Sequence, residues 1–144
     1  MSQGSNGDDW AMTGDITYFE PPSGVPEEPG RYVRIDADLP ALDFAPGLVL
    51  RPLVGRNLLT SFVRYAPHAE APLHSHEEEQ VFIVLEGEIE LELGGERRLM
   101  RPGDAALIPA FVPHAARTHD GPAYQIDVFS PPRRALLDIL EQRT

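Results

Sequence analysis

The sequence predicts an all-β domain, an antiparallel sandwich or barrel closed by one short C-terminal helix. Fifteen prolines and twelve glycines in 144 residues leave little uninterrupted chain for long helices. The apolar residues fall in short runs separated by turn residues, the texture of many small strands. One segment, Ile89-Glu90-Leu91-Glu92-Leu93, alternates strictly, which is the period of a strand with one buried face.

Taken in order, residues 1–30 are polar and rich in Gly and Pro, with aromatics at Trp10, Tyr18 and Phe19, and end in Pro26-Glu27-Glu28-Pro29-Gly30. Their composition is that of a flexible leader, while the aromatics allow an arm that packs on the domain or on a neighbouring subunit. Residues 31–144 are expected to form a single domain. Leu48-Val49-Leu50, Leu58 to Tyr65 and Val81 to Leu85 read as strands. After the alternating segment, Gly94-Gly95 marks a two-residue hairpin, and Arg97 to Met100 returns from it. Arg101-Pro102-Gly103-Asp104 turns the chain, Ala105 to Ile108 is a further strand stopped by Pro109, and Tyr124 to Phe129 is the last. The stretch Ser130–Arg143 reads as the helix: Ser130 suits a cap, Pro131 the first turn, and Leu136, Leu137 and Leu140 form an apolar stripe.

Composition also bounds function. The formal charge of −11, from 23 acidic against 12 basic residues, repels phosphate backbones and anionic bilayers, so neither nucleic acid nor membrane is an expected partner. The N-terminus lacks the basic and apolar regions of a secretory signal, no apolar run approaches the ~20 residues of a membrane span, and a cytoplasmic location is expected. With no cysteine, disulfides and thiolate sites are excluded, and a metal would need imidazole, carboxylate or amide ligands.

Such a ligand set is present. His74-Ser75-His76 places two imidazoles two residues apart, which on a strand puts them on one face. Gln80 lies at matching parity, and His114 follows Pro109 and Pro113. Neutral imidazole binds zinc, iron, copper or nickel. The run Glu77-Glu78-Glu79 reads as a solvated edge, although Glu78 shares the parity of Gln80. His68 and His119 are expected in solvated turns.

These residues resemble the cupin superfamily. Its first motif, G-x5-H-x-H-x3,4-E-x6-G, is met by His74, His76, Gln80 and Gly87, and its second, G-x5-P-x-G-x2-H-x3-N, by Gly103, Pro109 and His114, with fifteen residues between Gly87 and Gly103. His68 and Phe111 stand where the motifs have glycine, Thr118 where they have asparagine, and Gln80 where they have glutamate. The resemblance, over roughly residues 58–133, implies a jelly-roll β-barrel, usually homodimeric, with His74, His76, Gln80 and His114 as ligands of one divalent metal, zinc first, with nickel, manganese or iron(II) also suited. A neutral fourth ligand favours Lewis-acid or metal-water chemistry over the oxygen activation of two-histidine-one-carboxylate iron sites.

Within the superfamily the His-x-His-x3-Gln…His variant is similar to two non-oxidative groups: enzymes that ketonise unsaturated uronates from pectin and alginate, and resistomycin-type aromatic polyketide cyclases. The segment Asp127-Val128-Phe129-Ser130-Pro131-Pro132-Arg133 resembles a stretch these relatives share, which implies catalytic roles for Asp127 and Arg133. The residues alone leave open that Asp127 partners Arg133 or ends a strand, and that Arg133 is structural. Length and texture favour the cyclase: intramolecular aldol closure and dehydration of a poly-β-ketone in antibiotic biosynthesis, the substrate free or delivered by an acyl carrier protein. The competing expectations are the uronate ketonisation enzyme, a non-catalytic small-molecule-binding cupin and an iron dioxygenase.

Overall fold

The computed structural model describes residues 16–143, and the chain divides into two compact units, Met1–Tyr32 and Val33–Thr144. In the first, Ile16–Phe19 form one 3-10 turn, and Tyr18, Phe19, Val25 and Tyr32 are exposed. Trp10 lies outside the described residues.

The second unit opens with one helical turn, α1 (Ile35–Asp38), and continues as β1 (Leu42–Ala45), β2 (Leu48–Val54), β3 (Leu59–Tyr65), β4 (Glu70–His74), β5 (Glu79–Glu86), β6 (Ile89–Leu93), β7 (Glu96–Met100), β8 (Ala105–Ile108), β9 (His114–Arg117), β10 (Ala123–Ser130) and α2 (Arg134–Gln142). The strands pair antiparallel in two sheets, ordered β1-β2-β3-β10-β5-β8 and β4-β9-β6-β7, the expected all-β jelly roll with a short C-terminal helix. Alternation dictates which residues face inward. On β3, Leu59, Ser61, Val63 and Tyr65 are buried, and on β6 Ile89 and Leu91 are, with Glu90 and Glu92 turned outward. Leu59, Ile89, Val84 and Ile108 have no exposed surface, and burying each such side chain contributes about 1.5–3 kcal/mol.

Both strand prolines sit where no ladder needs an N–H. Pro52 of β2 lies past Leu50, the last β2 residue paired to β1, and Pro72 of β4 lies in an edge strand where the register shifts between Ala71 and His74. The β6–β7 hairpin turns through Gly94 and Gly95, both at positive φ, as a type I′ turn requires.

Two expectations need correction, and three strands are additional to those expected. The segment 74–80 is not one strand: β4 ends at His74 in the four-stranded sheet, β5 begins at Glu79 in the other, and residues 75–78 carry the chain between them. The helix begins at Arg134 rather than near Ser130. Ser130 still pairs with Glu79 at the end of β10, its hydroxyl donates to Asn57 O, and Arg133 precedes the helix without a side-chain cap. Strands β1, β4 and β9 had no apolar periodicity to announce them, being short and interrupted by Asp, Pro or Arg.

The glycine replacements in the two motifs are informative. His68 and Phe111 both adopt positive φ, 58° and 67°, so the backbone keeps the left-handed turns although the side chains are no longer glycine. Thr118, in place of asparagine, is buried. Its hydroxyl accepts from Ala69 N–H at 3.0 Å and donates to Ala66 O at 2.6 Å, which ties down the turn before β4.

Gly87 is required for a different reason: at φ +75°, a Cβ there would lie 2.2 Å from Pro122 O and 2.8 Å from Ala123 Cα, both rigid backbone. Gly87→Ala is therefore expected to cost upwards of about 3 kcal/mol in urea denaturation. Gly95→Ala, at φ +89° with nothing within 4 Å, should cost only the left-handed penalty of about 1–2 kcal/mol. Equal losses would show that the contact with residues 122–123 is not what selects glycine.

Candidate metal centre

The two sheets bring three imidazoles together at one end of the barrel. His74 ends β4, His114 begins β9 directly opposite it in register, and His76 lies in the crossing segment. The ring centroids are 4.3 Å apart for His74–His114, 4.9 Å for His76–His114 and 5.7 Å for His74–His76. One nitrogen from each lies within 4.8 Å of the others. His76 and His114 are buried and His74 is exposed at the rim.

Backbone carbonyls set how these rings present themselves. Nδ1 of His74 donates to Pro72 O at 2.7 Å, Nδ1 of His76 to Glu78 O at 3.0 Å, and Nδ1 of His114 to Val112 O at 2.9 Å. A neutral imidazole has one N–H, so each Nε2 is left as a bare acceptor. Burial, reinforced by the Arg133 guanidinium, holds His76 below the ordinary imidazole pKa, and burial pushes His114 down to about 4, so both are neutral at pH 7. Nε2 of His114 is buried with no hydrogen-bond partner.

Gln80, on β5, completes the set. Its amide nitrogen donates to Asp127 Oδ1 at 2.6 Å, which turns its Oε1 toward His76 Nε2 at 3.0 Å. Two lone-pair atoms at that separation repel unless something positive lies between them. Four inward acceptors without an inward N–H among them therefore fit a divalent cation, and outer carbonyls holding the imidazole N–H groups are the usual support of such a site. No fifth ligand candidate among the described residues joins this group.

The remaining candidates are placed as follows. Asp127 lies on β10 opposite Ser61 and Phe82, lines the cavity, and is pushed up to about 7 by burial, against the hydrogen bonds it receives from Gln80 and Gln125. It makes no ion pair with Arg133. Arg133 lines the same cavity and lies 3.6 Å from Glu78 instead. Glu78 corrects the solvated-edge expectation: Glu77 and Glu79 are exposed, but Glu78 is buried and accepts from Arg134 N–H at 2.7 Å. Burial raises its pKa, yet the Arg134 N–H and the Arg133 guanidinium outweigh that and hold the carboxyl below its ordinary value. A parity match with Gln80 was its one trace in the sequence. His68 and His119 are exposed, paired with Asp120 and Glu90.

The cavity behind the histidines has a volume of about 110 Å³. Its walls are mostly apolar, including Phe44, Val63, Phe82, Leu91, Phe129 and Leu136, and the three histidines, Gln80, Asp127 and Arg133 line it as well. Such a chamber strengthens electrostatic interactions inside it.

Residues 61–129 match the family model described as the cupin domain. Among solved structures, KdgF from Halomonas sp. is 29% identical with a TM-score of 0.68, covering 76% of this chain and 99% of that one. The polyketide cyclase RemF from Streptomyces resistomycificus is 26% identical with a TM-score of 0.62, covering 70% of this chain and 79% of that one. Among curated proteins, the dimethylsulfoniopropionate lyase DddQ from Ruegeria pomeroyi is 38% identical over 66 residues, 44% of this chain but only 33% of the lyase.

One divalent ion per chain is expected from elemental analysis of purified protein. Replacing His76 or His114 by alanine should weaken zinc binding by more than the 10–100-fold typical of losing an outer partner, while Gln80→Glu keeps it. Undiminished zinc affinity in the His76/His114 double variant would remove the site.

Proposed function

The chain belongs to the cupin superfamily, and we propose that it is a metal-dependent, non-oxidative enzyme that moves a proton next to a carbonyl group. The observation carrying this reading is the direct Gln80–Asp127 hydrogen bond, which sets a carboxyl group beside a neutral, oxygen-presenting ligand in one apolar chamber. A divalent ion held by His74, His76, His114 and Gln80, zinc being the first choice, would supply Lewis acidity toward a carbonyl oxygen. Asp127, with a pKa near neutrality, is suited both to accept the proton α to that carbonyl and to return it elsewhere, since such transfers are most efficient when the pKa matches the working pH. Arg133, at the cavity wall, supplies positive charge for an anionic substituent or an enolate oxygen. Phe82, Leu91 and Phe129 exclude water from the exchange.

The cavity volume bears on the substrate. An apolar cavity of about 150 Å³ holds a benzene-sized molecule, so about 110 Å³ suits a small carbonyl compound. The Arg133 charge at the wall suits a small anionic substrate such as an unsaturated uronate, with only its reacting end inside the chamber, and this makes fewer demands than a folded polyketide. The second reading, aromatic polyketide cyclisation, is favoured by the likeness to RemF and uses the same deprotonation, with one ketide unit entering the chamber and the enolate attacking a second carbonyl.

The zinc-loaded protein should turn over an unsaturated uronate without consuming oxygen. Asp127→Asn should lower kcat by about 10²–10⁴-fold with zinc retained, the range for loss of a general acid–base group. Cyclisation of a poly-β-ketone without uronate turnover would establish the second reading. Oxygen uptake with tightly bound iron, or saturable binding of both compounds with no turnover, would overturn the proposal.

A further inference from the structure

Gln125 is the most deeply buried polar side chain of the barrel, with no exposed surface, and neither the histidines nor the cavity wall requires it. Glutamine in an apolar interior is tolerated only when its amide is satisfied. Here both ends are committed. The Tyr65 hydroxyl, itself buried, donates to Gln125 Oε1 at 3.1 Å, and Gln125 Nε2 donates to Asp127 Oδ1, the same oxygen that receives Gln80 Nε2. A Tyr–Gln pair satisfying only itself would not need to reach a carboxylate that faces the cavity.

We infer that Gln125, held by Tyr65, is a positioning residue for the metal centre: by sharing Asp127 Oδ1 with Gln80, it fixes the Asp127 carboxylate and thereby locks Gln80 with its oxygen, not its nitrogen, toward the histidines. The chain of constraint is geometric. Asp127 lies between its neighbours β3 and β5, two residues along β10 from Gln125, so both side chains point inward from one strand. With both amide donors converging on one oxygen, the carboxylate cannot swing about its terminal bond without breaking two hydrogen bonds. Without Gln125 it is held by Gln80 alone, and the pair is free to turn together. A reversed Gln80 would present an NH₂ group, which has no lone pair suited to a cation.

The inference rests on the metal reading of the site, and metal titration alone tests it, with no substrate. Wild-type protein is titrated with Zn²⁺ in competition with a chelator, and with Co²⁺ followed by its visible spectrum. Gln125→Met keeps the volume and deletes both hydrogen bonds. It should still bind one ion, about 10-fold or more weakly, with an altered Co²⁺ spectrum. In a Gln80→Ala background the same substitution should have no further effect, because its influence passes through Gln80. Tyr65→Phe, which removes one hydroxyl, should move both readouts in the same direction by less, and it carries the test should Gln125→Met fold poorly. Wild-type affinity and spectrum in both variants would overturn the inference, as would an equal loss with and without Gln80. Absence of any ion binding by the wild-type protein would instead fell the metal reading on which it stands.

Discussion

The arrangement of the site depends on one constraint: each of the three imidazoles gives its single N–H to a backbone carbonyl within two residues of itself. Those carbonyls belong to Pro72, where the β4–β9 register is interrupted, to Glu78 in the crossing segment and to Val112 in the turn before β9, places where the regular ladder leaves main-chain oxygens free. The constraint makes the inner edge of every ring an acceptor. It also explains why the barrel is built as it is at this end. β4 and β9 must stop and start at paired histidines, and the left-handed residue Phe111, whose N–H bonds His76 O, holds the turn that delivers His114. A turn that tolerates phenylalanine at φ 67° is one whose course the surrounding hydrogen bonds dictate.

Given inward acceptors, the fourth position must also present an acceptor, and an amide is ambiguous in a way a carboxylate is not. Glutamate offers oxygen whichever way it turns, whereas glutamine offers oxygen or NH₂. Asp127 resolves the ambiguity because an ionised carboxylate only accepts. The negative charge that glutamate would have brought directly to the site is thus kept nearby, on a residue that also faces the cavity. Burial opposes that charge, and the two amide N–H groups support it.

How much of this could be read from the residues follows the same physics. The β6–β7 hairpin was legible because alternation and Gly94-Gly95 are both local signals, and β3, β5, β8 and β10 because their apolar runs are long enough to show. Strands β4 and β9 were not, since Pro72, Arg117 and the histidines themselves interrupt any apolar period, and pairing to each other is what makes them strands. Spacing marks His74, His76, Gln80 and His114 as candidates, but His74 and His76 do not share a strand face: they converge because the chain leaves one sheet between them. Apart from its parity with Gln80, nothing local marks Glu78, whose neighbours are exposed glutamates and whose partners, Arg133 and Arg134, lie more than fifty residues away.

Glu78 shows how the histidine end and the C-terminal helix are one structural problem. The segment that carries His76 between sheets must cross an open end of the barrel, and α2 packs Leu136 into the core there. A buried carboxylate at that junction would be costly by itself. It accepts the Arg134 N–H, lies beside the Arg133 guanidinium, and its own carbonyl holds His76 Nδ1–H. One residue thus orients His76 with its backbone and anchors the helix with its side chain. Arg133, drawn to Glu78 from the helix start, is placed at the cavity wall as a consequence. The positive charge at the cavity wall is therefore set by the same residue that positions a histidine, so loosening α2 would disturb Arg133 and His76 together.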